Sequence, residues 1–435
     1  MNILVVGGGA REHALAWAVR RGGRDRAVLC VPGNAGIASV AECIPGDPTA
    51  VATLADLARS RRVDLTIVGP EAALAAGLSD ELERRGMKVF GASRAAAEIE
   101  TSKIFSKEFM LRHRIPTAAF DVADSAAAAA RILARRGDRP SVVKADGLAA
   151  GKGVVVAATR REAEEAVAAM LVERRFGAAG DRILIEDRLT GPEVSFFALC
   201  DGERARPLTT CQDYKRLEDG DRGPNTGGMG GYSPSVLVDA ALERSLMERV
   251  VLPTVRGLAA EGRPYRGVLY AGLMLTPEGP QVLEYNARFG DPEAELIAVR
   301  LASDLVEVIE ATLAGRLDEA PLRFHAGGAV CVVLAAAGYP GTPRAGDAIT
   351  GLESDSRPPG GGDDVVVFHA ATRAREGRIE TAGGRVLTVT ARAGDLAEAR
   401  RRAYAAVAAI RFPGMQHRRD IAAFATAGTS PAPGN

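Results

Sequence analysis

The run Ser141-Val-Val-Lys-Ala-Asp-Gly-Leu-Ala-Ala-Gly-Lys-Gly153 places two lysines, Lys144 and Lys152, in a segment punctuated by Gly147, Gly151 and Gly153. Glycine adopts positive φ at little cost, so such a loop can turn backbone N–H groups toward an anion while the ammonium groups supply full charge. That is the chemistry of a phosphate cradle. Lys152 is followed by Gly153 and Val154, not by a hydroxyl residue opening a helix, so the pattern is not a P-loop. A surface hairpin turn with an incidental lysine is the competing reading of this stretch taken alone. Lysine usage weighs against it. Only six of the 55 basic residues are lysine, at Lys88, Lys103, Lys107, Lys144, Lys152 and Lys215, and two of the six fall in this loop. A compact ammonium on a flexible stem suits nucleotide phosphates, whereas arginine serves as generic charge elsewhere. Lys88 and Lys107 sit in ordinary amphipathic surroundings and carry no such expectation.

Three further stretches hold chemistry. Residues 269–275 and 281–286 read as a hairpin; along its second strand Glu284 and Asn286 are two apart and share a face. Two oxygen donors on one face suit Mg²⁺, which takes few protein oxygens beside water and phosphate. Arg288-Phe-Gly-Asp-Pro-Glu293 follows at once, with Glu295 beyond, a density of mixed charge that favours function over a solvated surface. Residues 182–186 and 193–199 read as strands around a turn at Thr190-Gly-Pro192. There Glu186, Asp187, Arg188, Leu189 and Glu193 can supply backbone partners for an adenine and a carboxylate for ribose hydroxyls; an exposed strand-end charge is the alternative for either glutamate. Residues 211–234, carrying Asp213, Lys215, Arg216 and Asn225, are too glycine-rich and polar to be a packed element and read as a lid-type loop.

The elements that must position these groups follow from periodicity. Residues 2–6 are a buried-strand run, Gly7-Gly-Gly-Ala-Arg-Glu12 a tight turn, and residues 13–21 a helix. Strands at 27–31, 64–68 and 88–90 alternate with helical stretches at 49–60 and 71–85, the pattern of a parallel sheet. The first hundred residues are therefore Rossmann-like, with ligand loops at Gly7–Glu12, Pro32–Gly36 and Gly69–Glu71. The dinucleotide fingerprint is incomplete, because Gly9 fits but position 12 is a glutamate that would repel a pyrophosphate. A smaller phosphorylated ligand or a purely structural turn ranks above NAD or FAD. A single helical stretch is expected over 93–113, then helices at 125–135 and 161–171. From residue 326 a separate small α+β core is expected, with strands at 365–368 and 385–390, a helix at 396–408, and His369 in a structural role.

The totals narrow the class. Acidic and basic residues balance at 55 each, so no overall field draws in nucleic acid or a membrane surface. The five cysteines are scattered without a Cys-x-x-Cys pair, which argues against zinc or a disulfide framework and for a reduced cytoplasmic setting. No apolar run approaches about 18 residues and residues 1–6 carry no basic leader, so neither membrane span nor signal peptide is expected.

Taken together, Gly9-Ala-Arg-Glu-His13, Pro32-Gly-Asn-Ala-Gly36, Ile67-Val-Gly-Pro-Glu71, Lys144–Gly153, Gly223-Pro-Asn-Thr-Gly-Gly-Met-Gly230 and Arg288–Glu293 closely resemble the phosphoribosylamine–glycine ligase family of the ATP-grasp superfamily, in order from about residue 2 to residue 421. The resemblance implies an α/β and α+β multidomain fold. Residues 1–101 would form the Rossmann-like parallel-sheet domain that binds phosphoribosylamine, and 102–324 the ATP-grasp domain with a mobile lid-like subdomain at about 120–190. Residues 325–425 would form the small C-terminal α+β domain and 426–435 a flexible tail. The implied reaction is the second step of de novo purine synthesis: ATP, glycine and 5-phosphoribosylamine give glycinamide ribonucleotide, ADP and phosphate through glycyl phosphate. Carried over by motif, Lys103, Lys144, Gly151, Lys152 and Gly153 would meet ATP phosphates, with Glu186–Leu189 and Glu193 at adenine and ribose. Glu284 and Asn286 would hold Mg²⁺ or Mn²⁺. Arg288, Lys152 and Asp291 would carry the chemistry, with Asp291 and Pro292 near the amino acid. Gly9, Arg11, Glu12, Asn34, Gly36 and Glu71 would receive phosphoribosylamine, and Asp213, Lys215, Arg216 and Asn225 would close over both substrates. A monomer is expected, with a dimer as the alternative.

Two departures stand out. The first loop reads Gly-Gly-Gly-Ala where the family usually has asparagine and glycine at the second and fourth places, and Phe368-His-Ala-Ala replaces a usual His-Ala-Gly. Rivals are another ATP-grasp carboxylate–amine ligase with a different acceptor, a non-catalytic nucleotide-binding regulator, and a flavin or nicotinamide oxidoreductase. The acceptor loops, the metal pair with its closing loop, and the incomplete fingerprint argue against them in turn.

Overall fold

A computed structural model describes residues 1–23, 25–148, 153–352 and 364–426. Gly151, Lys152 and residues 427–435 therefore lie outside the described residues. Thr426, expected in the tail, instead ends the short helix Ala423–Thr426.

The amino-terminal unit is a five-stranded parallel sheet in the order Glu42–Cys43, Ala27–Pro32, Asn2–Gly7, Leu65–Val68, Val89–Phe90. Its central strand is buried along Ile3–Val6, so it reads as a continuous apolar run, and Val5 pairs with both Cys30 and Ile67. The two-residue strand Glu42–Cys43 was too short to show in the periodicity. The stretch 71–85 divides into Glu71–Ala75 and Leu78–Arg84 at Gly77, whose φ of +88° interrupts the helix.

The expected single helix over 93–113 is likewise two, Arg94–Thr101 and Lys103–Arg112. Ser102 adopts an extended conformation between them and its hydroxyl accepts the Phe105 N–H, so it acts as N-cap to a fresh helix that begins with Lys103.

A four-stranded antiparallel sheet follows, ordered Phe120–Ala123, Ile183–Asp187, Ser141–Ala145, Val154–Ala157. It has a core of its own, built from Ile132, Leu133, Val143, Met170, Ile183 and Ile185. The largest sheet has eight strands: Gly279–Asn286, Tyr265–Thr276, Glu193–Gly202, Ala205–Asp213, Gly230–Ser233, Gly328–Ala335, Arg385–Ala393 and Val365–His369.

This sheet corrects one expectation and qualifies another. Residues 211–234 are not an open lid loop: they contain the end of Ala205–Asp213, the hairpin Arg216–Glu218/Arg222–Asn225 and the buried strand Gly230–Ser233. The glycines there serve close packing, since a Cβ on Gly230 would stand 2.4 Å from the Cys331 carbonyl oxygen. The carboxy-terminal part has the core of its own that was expected, with Val332, Val367, Val389 and Ala403, but it is not detached, because Gly230–Ser233 pairs with Gly328–Ala335 and makes one continuous sheet. Val366, Phe368 and Ala370 join Val5, Phe197 and Leu296 in a core shared with the amino-terminal unit. Among the described residues no helix is long and apolar enough to cross a membrane.

One polar contact fastens the two ends of the chain. Buried His369 donates its backbone N–H to Nδ1 of buried His13 at 2.8 Å, and its own Nδ1 meets Thr372 Oγ1 at 3.0 Å, in the structural role expected for it. A Cβ on Gly36 would collide with both imidazoles, within 2.6 Å, so glycine is needed there for docking. Burial, reinforced for His13 by the neighbouring His369, keeps both rings neutral: His13 falls well below its ordinary value and His369 drops to about 4. In the unfolded chain both bind a proton below about 6.5, so the unfolded state holds more protons between that pH and about 4. Stability is therefore expected to fall as pH drops through this window, by on the order of 3 kcal/mol from His369 alone. Denaturant melts at stepped pH check this, and His369→Gln should flatten the slope.

Candidate functional site

The site forms where the four-stranded and eight-stranded sheets face each other. Lys144, from Ser141–Ala145, crosses the gap and donates to the Leu283 carbonyl at 3.2 Å. Lys103 is the first residue of its helix because Ser102 caps it. Asp146 bolts that helix start to the glycine-rich loop: its Oδ1 accepts from Ser102 Oγ and Ile104 N–H, each at 2.9 Å. Lys103 Nζ then donates to the Gly147 carbonyl at 3.2 Å, and Gly153 returns the chain by accepting the Ala145 N–H at 2.8 Å.

Glu284 is the focus. Burial alone would raise its carboxyl, but Lys215, Lys144, Lys103 and Arg288 outweigh burial and hold it below the usual carboxylate range. Four cations from four segments thus converge on one ionised carboxylate. Asn286, two residues along the same strand, accepts from Arg288 Nη2 at 3.0 Å. Three of the four cations are also tied to framework acids: Lys215 to Glu193 at 2.8 Å, and Arg288 to Glu71 at 3.2 Å and to Glu100 at 2.8 Å. Lys144 lies 3.1 Å from Glu186 Oε1.

The other Glu186 oxygen meets Lys107 at 3.0 Å, and both side chains are only 2 % exposed. Lys107 Nζ also donates to Thr117 Oγ1 at 2.6 Å, and burial pulls its pKa down to about 8 despite Glu186. Lys107 is thus a structural member of the site that sequence reading passed over; its membership in the six-lysine set was the available signal. Asp146 stood inside the quoted motif without a role, and nothing in the sequence marked Glu100.

The remaining sequence-predicted residues are placed as follows. Asp187 pairs with Arg136 at 2.5 Å, while Arg188 and Leu189 are half-buried on the strand exit. Arg216 pairs with Asn225 across the hairpin, and Asn225 is exposed. Asp213 has a buried Oδ1 without a hydrogen-bond partner among the described residues, and burial together with Glu293 raises its carboxyl well above the usual range. It lines a small pocket of about 10 Å³ with Glu193, Ser195, Lys215 and Tyr270.

At the amino-terminal loops, Glu12 Oε2 accepts the Gly9 N–H at 2.6 Å and its carboxylate fills the space between Gly7 and Gly69, where a Cβ at either would overlap it. A dinucleotide pyrophosphate has no room there. Arg11 pairs with Glu12 at 2.6 Å and approaches Glu71 at 3.9 Å, which links this loop to Arg288. Asn34 spends its side chain on the framework: Oδ1 accepts the Gly36 and Ile37 N–H groups at 2.9 Å, and Nδ2 donates to the Gly8, His369 and Ala370 carbonyls. Asp291 and buried Pro292 stand between this loop and the Glu284 cluster, since a Cβ on Gly9 would lie 3.6 Å from Asp291 Oδ2.

Two sheets enclosing lysines and an acidic strand, with a Rossmann-like unit alongside, define an ATP-grasp ligase. Models of phosphoribosylglycinamide synthetase match the chain as its N domain over residues 1–100, its ATP-grasp (A) domain over 101–294 and its C domain over 329–424. The chain is 50% identical over 424 residues to the phosphoribosylamine–glycine ligase of Caulobacter vibrioides, covering 97% of each. The crystal structure of the Thermotoga maritima phosphoribosylamine–glycine ligase matches with a TM-score of 0.83 at 34% identity, over 97% of this chain and 100% of that one. A biotin carboxylase from Campylobacter jejuni shares the fold alone, with a TM-score of 0.73 at 15% identity over 96% of this chain and 92% of that one. The chain belongs to the phosphoribosylamine–glycine ligase family. It is a carbon–nitrogen ligase of purine biosynthesis that uses ATP to join glycine to 5-phosphoribosylamine, giving glycinamide ribonucleotide.

Because Lys107 and Lys144 share one buried carboxylate, removing Lys107 leaves Glu186 under-neutralised. Lys107→Met is expected to cost about 3 kcal/mol of stability in chemical denaturation, and adding Glu186→Gln should recover much of it.

Proposed function

We propose that the cluster around Glu284 binds metal–ATP, and that glycine is activated there as glycyl phosphate before transfer to the amine. The observation that supports this is the convergence of Lys103, Lys144, Lys215 and Arg288 on one ionised glutamate. Such a concentration of positive charge answers a polyphosphate, and its geometry is set before substrate arrives. A carboxylate is a poor electrophile. Transfer of the terminal phosphoryl group of ATP to a glycine oxygen makes the acyl carbon open to attack, with ADP as leaving group. The amine nitrogen then bonds to that carbon and the carbon–oxygen bond to phosphate breaks. Phosphate departs with the electron pair, and the proton lost by nitrogen passes to Asp291. No protein nucleophile is required; positioning, charge neutralisation and one proton acceptor suffice.

Within this reading Lys103, Lys144 and Lys152, with Gly151 and Gly153, hold the phosphates. Glu186–Leu189 and Glu193 hold adenine and ribose, and Lys215, Arg216 and Asn225 close over the substrates. Arg288 faces the acyl phosphate, with Asp213, Asp291 and Pro292 around the amino acid. Gly9, Arg11, Glu12, Gly36 and Glu71 receive phosphoribosylamine, to which Asn34 contributes through the loop it shapes. Glu284 and Asn286 would hold Mg²⁺ or Mn²⁺. Among the described residues no group of three or more His, Cys, Asp or Glu is arranged for a metal, and two oxygens on one strand fit an ion that phosphate and water also coordinate. Such an ion supplies further neutralisation of phosphate charge. The four-stranded sheet, with its separate core, is the lid that shields both labile compounds from water. The domain boundaries fall near residues 101 and 325, and the chain works as a cytoplasmic monomer.

ADP release measured with Mg²⁺-ATP and glycine, with and without phosphoribosylamine generated in situ, tests the scheme. Release is expected only when glycine and the amine are both present. Lys144→Ala and Glu284→Ala should each lower it by at least about 100-fold while leaving the circular dichroism spectrum unchanged. Full activity in either variant would remove the assignment of that residue.

A further inference from the structure

Arg385 opens the strand Arg385–Ala393 in the carboxy-terminal part of the large sheet, yet its guanidinium leaves that part. Nη1 donates to the Asp291 carbonyl at 2.8 Å and to the Gly227 carbonyl at 2.6 Å, and it stands 3.1 Å from the Asp291 carboxylate. Asp291 belongs to the segment after the Glu284 strand, and Gly227 to the turn before Gly230–Ser233. Tyr339, also carboxy-terminal, accepts the Gly227 N–H through its hydroxyl at 2.9 Å. Asp291 also looks the other way, toward Gly9 of the acceptor loop. It therefore stands where three parts of the chain meet, with Arg385 behind it.

The corner is crowded with acid. Asp213, Glu293 and Glu295 lie close by, and Glu295 is fully buried with neither oxygen hydrogen-bonded among the described residues. Burial would lower Arg385, but Asp291, Tyr339, Glu295 and Asp213 together hold it above its ordinary value, so it serves this acidic group alongside Lys215, which acts on Asp213. The Arg385 and Asp291 side chains are 22% and 16% exposed, withdrawn enough from water for the charge-assisted bonds to fix an orientation. Without Arg385, the Asp291 carboxylate would lose the ion pair that fixes its orientation.

We infer that Arg385 is a positioning residue for the transfer half of the reaction: it fixes Asp291 at the seam where the amine of 5-phosphoribosylamine meets activated glycine. The inference rests on the role given to Asp291 above. Asp291 takes the proton released as the carbon–nitrogen bond forms and phosphate leaves, and returns it to solvent. A carboxylate displaced by about 1 Å would slow that step by up to about 100-fold without touching the ATP site.

The test compares Arg385→Met, Arg385→Lys, Asp291→Asn and the double variant R385M/D291N, measuring kcat, the KM for ATP and the thermal midpoint. Arg385→Met is expected to lose about 10- to 100-fold in kcat with the KM for ATP changed less than about 2-fold, and Arg385→Lys to recover part of the loss. The double variant should be no slower than Asp291→Asn alone, because Arg385 acts through Asp291. A double variant slowed by the product of the two single losses would overturn the inference, as would Arg385→Met with wild-type kcat. Full activity in Asp291→Asn would instead remove the underlying reading of Asp291. Should Arg385→Met not fold, Arg385→Lys alone and combined with D291N carries the same comparison.

Discussion

Holding four cations around one carboxylate is the constraint on which the rest of the structure depends. Lys103, Lys144, Lys215 and Arg288 repel one another, and Glu284 alone cannot neutralise them. The fold supplies a second ring of acids. Glu186 stands behind Lys144, Glu193 behind Lys215, and Glu71 with Glu100 behind Arg288. These partners come from the four-stranded sheet, the eight-stranded sheet, the amino-terminal unit and the helix that leaves it. The charge pattern can exist only when all of these are docked, so the electrostatics of the site and the packing of the domains are one problem. The positive field is thus set during folding.

The same economy governs the junction with the amino-terminal unit. Arg11 and Arg288 both approach Glu71, so the loop at the sheet's carboxyl edge and the segment after the Glu284 strand are joined through one carboxylate. Glycines at the seam answer to neighbours and not to flexibility: Gly69 leaves room for Glu12, Gly36 for His13 and His369, and Gly228 for Asp213 and Pro292. A methyl group at any of these would push apart surfaces that meet at the seam.

This explains what was legible in the sequence and what was not. The parallel sheet was readable because its strands are buried on both faces and separated by helices, and the Glu284–Asn286 pair because strand alternation is a local rule. Residues 211–234 misled because glycine marks both open loops and backbone in tight contact, and composition cannot separate the two. The helix break at Ser102 was masked because apolar spacing runs through it; only the bond between Asp146 and the new helix start, 44 residues away in sequence, makes the break necessary. Lys107 looked like a surface lysine since its partner, Glu186, arrives from a distant strand. Arg385 carried no local signal, because its partners Asp291 and Gly227 lie 94 and 158 residues upstream.

The departures from the family pattern are absorbed by the same packing logic. Ala10 brings a methyl group into the first loop, where it could crowd a phosphorylated acceptor. It is fully buried, however, as the first residue of the helix Ala10–Gly22, and joins the core shared by the amino-terminal sheet and the large sheet. The methyl group thus adds apolar contact on the protected side of the loop and leaves the Gly9 side to Glu12 and Asp291. Ala371 replaces the usual glycine after His369-Ala370, and its Cβ is matched by Gly383, where a second Cβ would come within 2.7 Å. Its N–H still donates to the Arg385 carbonyl at 3.0 Å, so the backbone that carries Arg385 to Asp291 keeps its course. Both substitutions change which residue fills a space without changing where the charged groups stand.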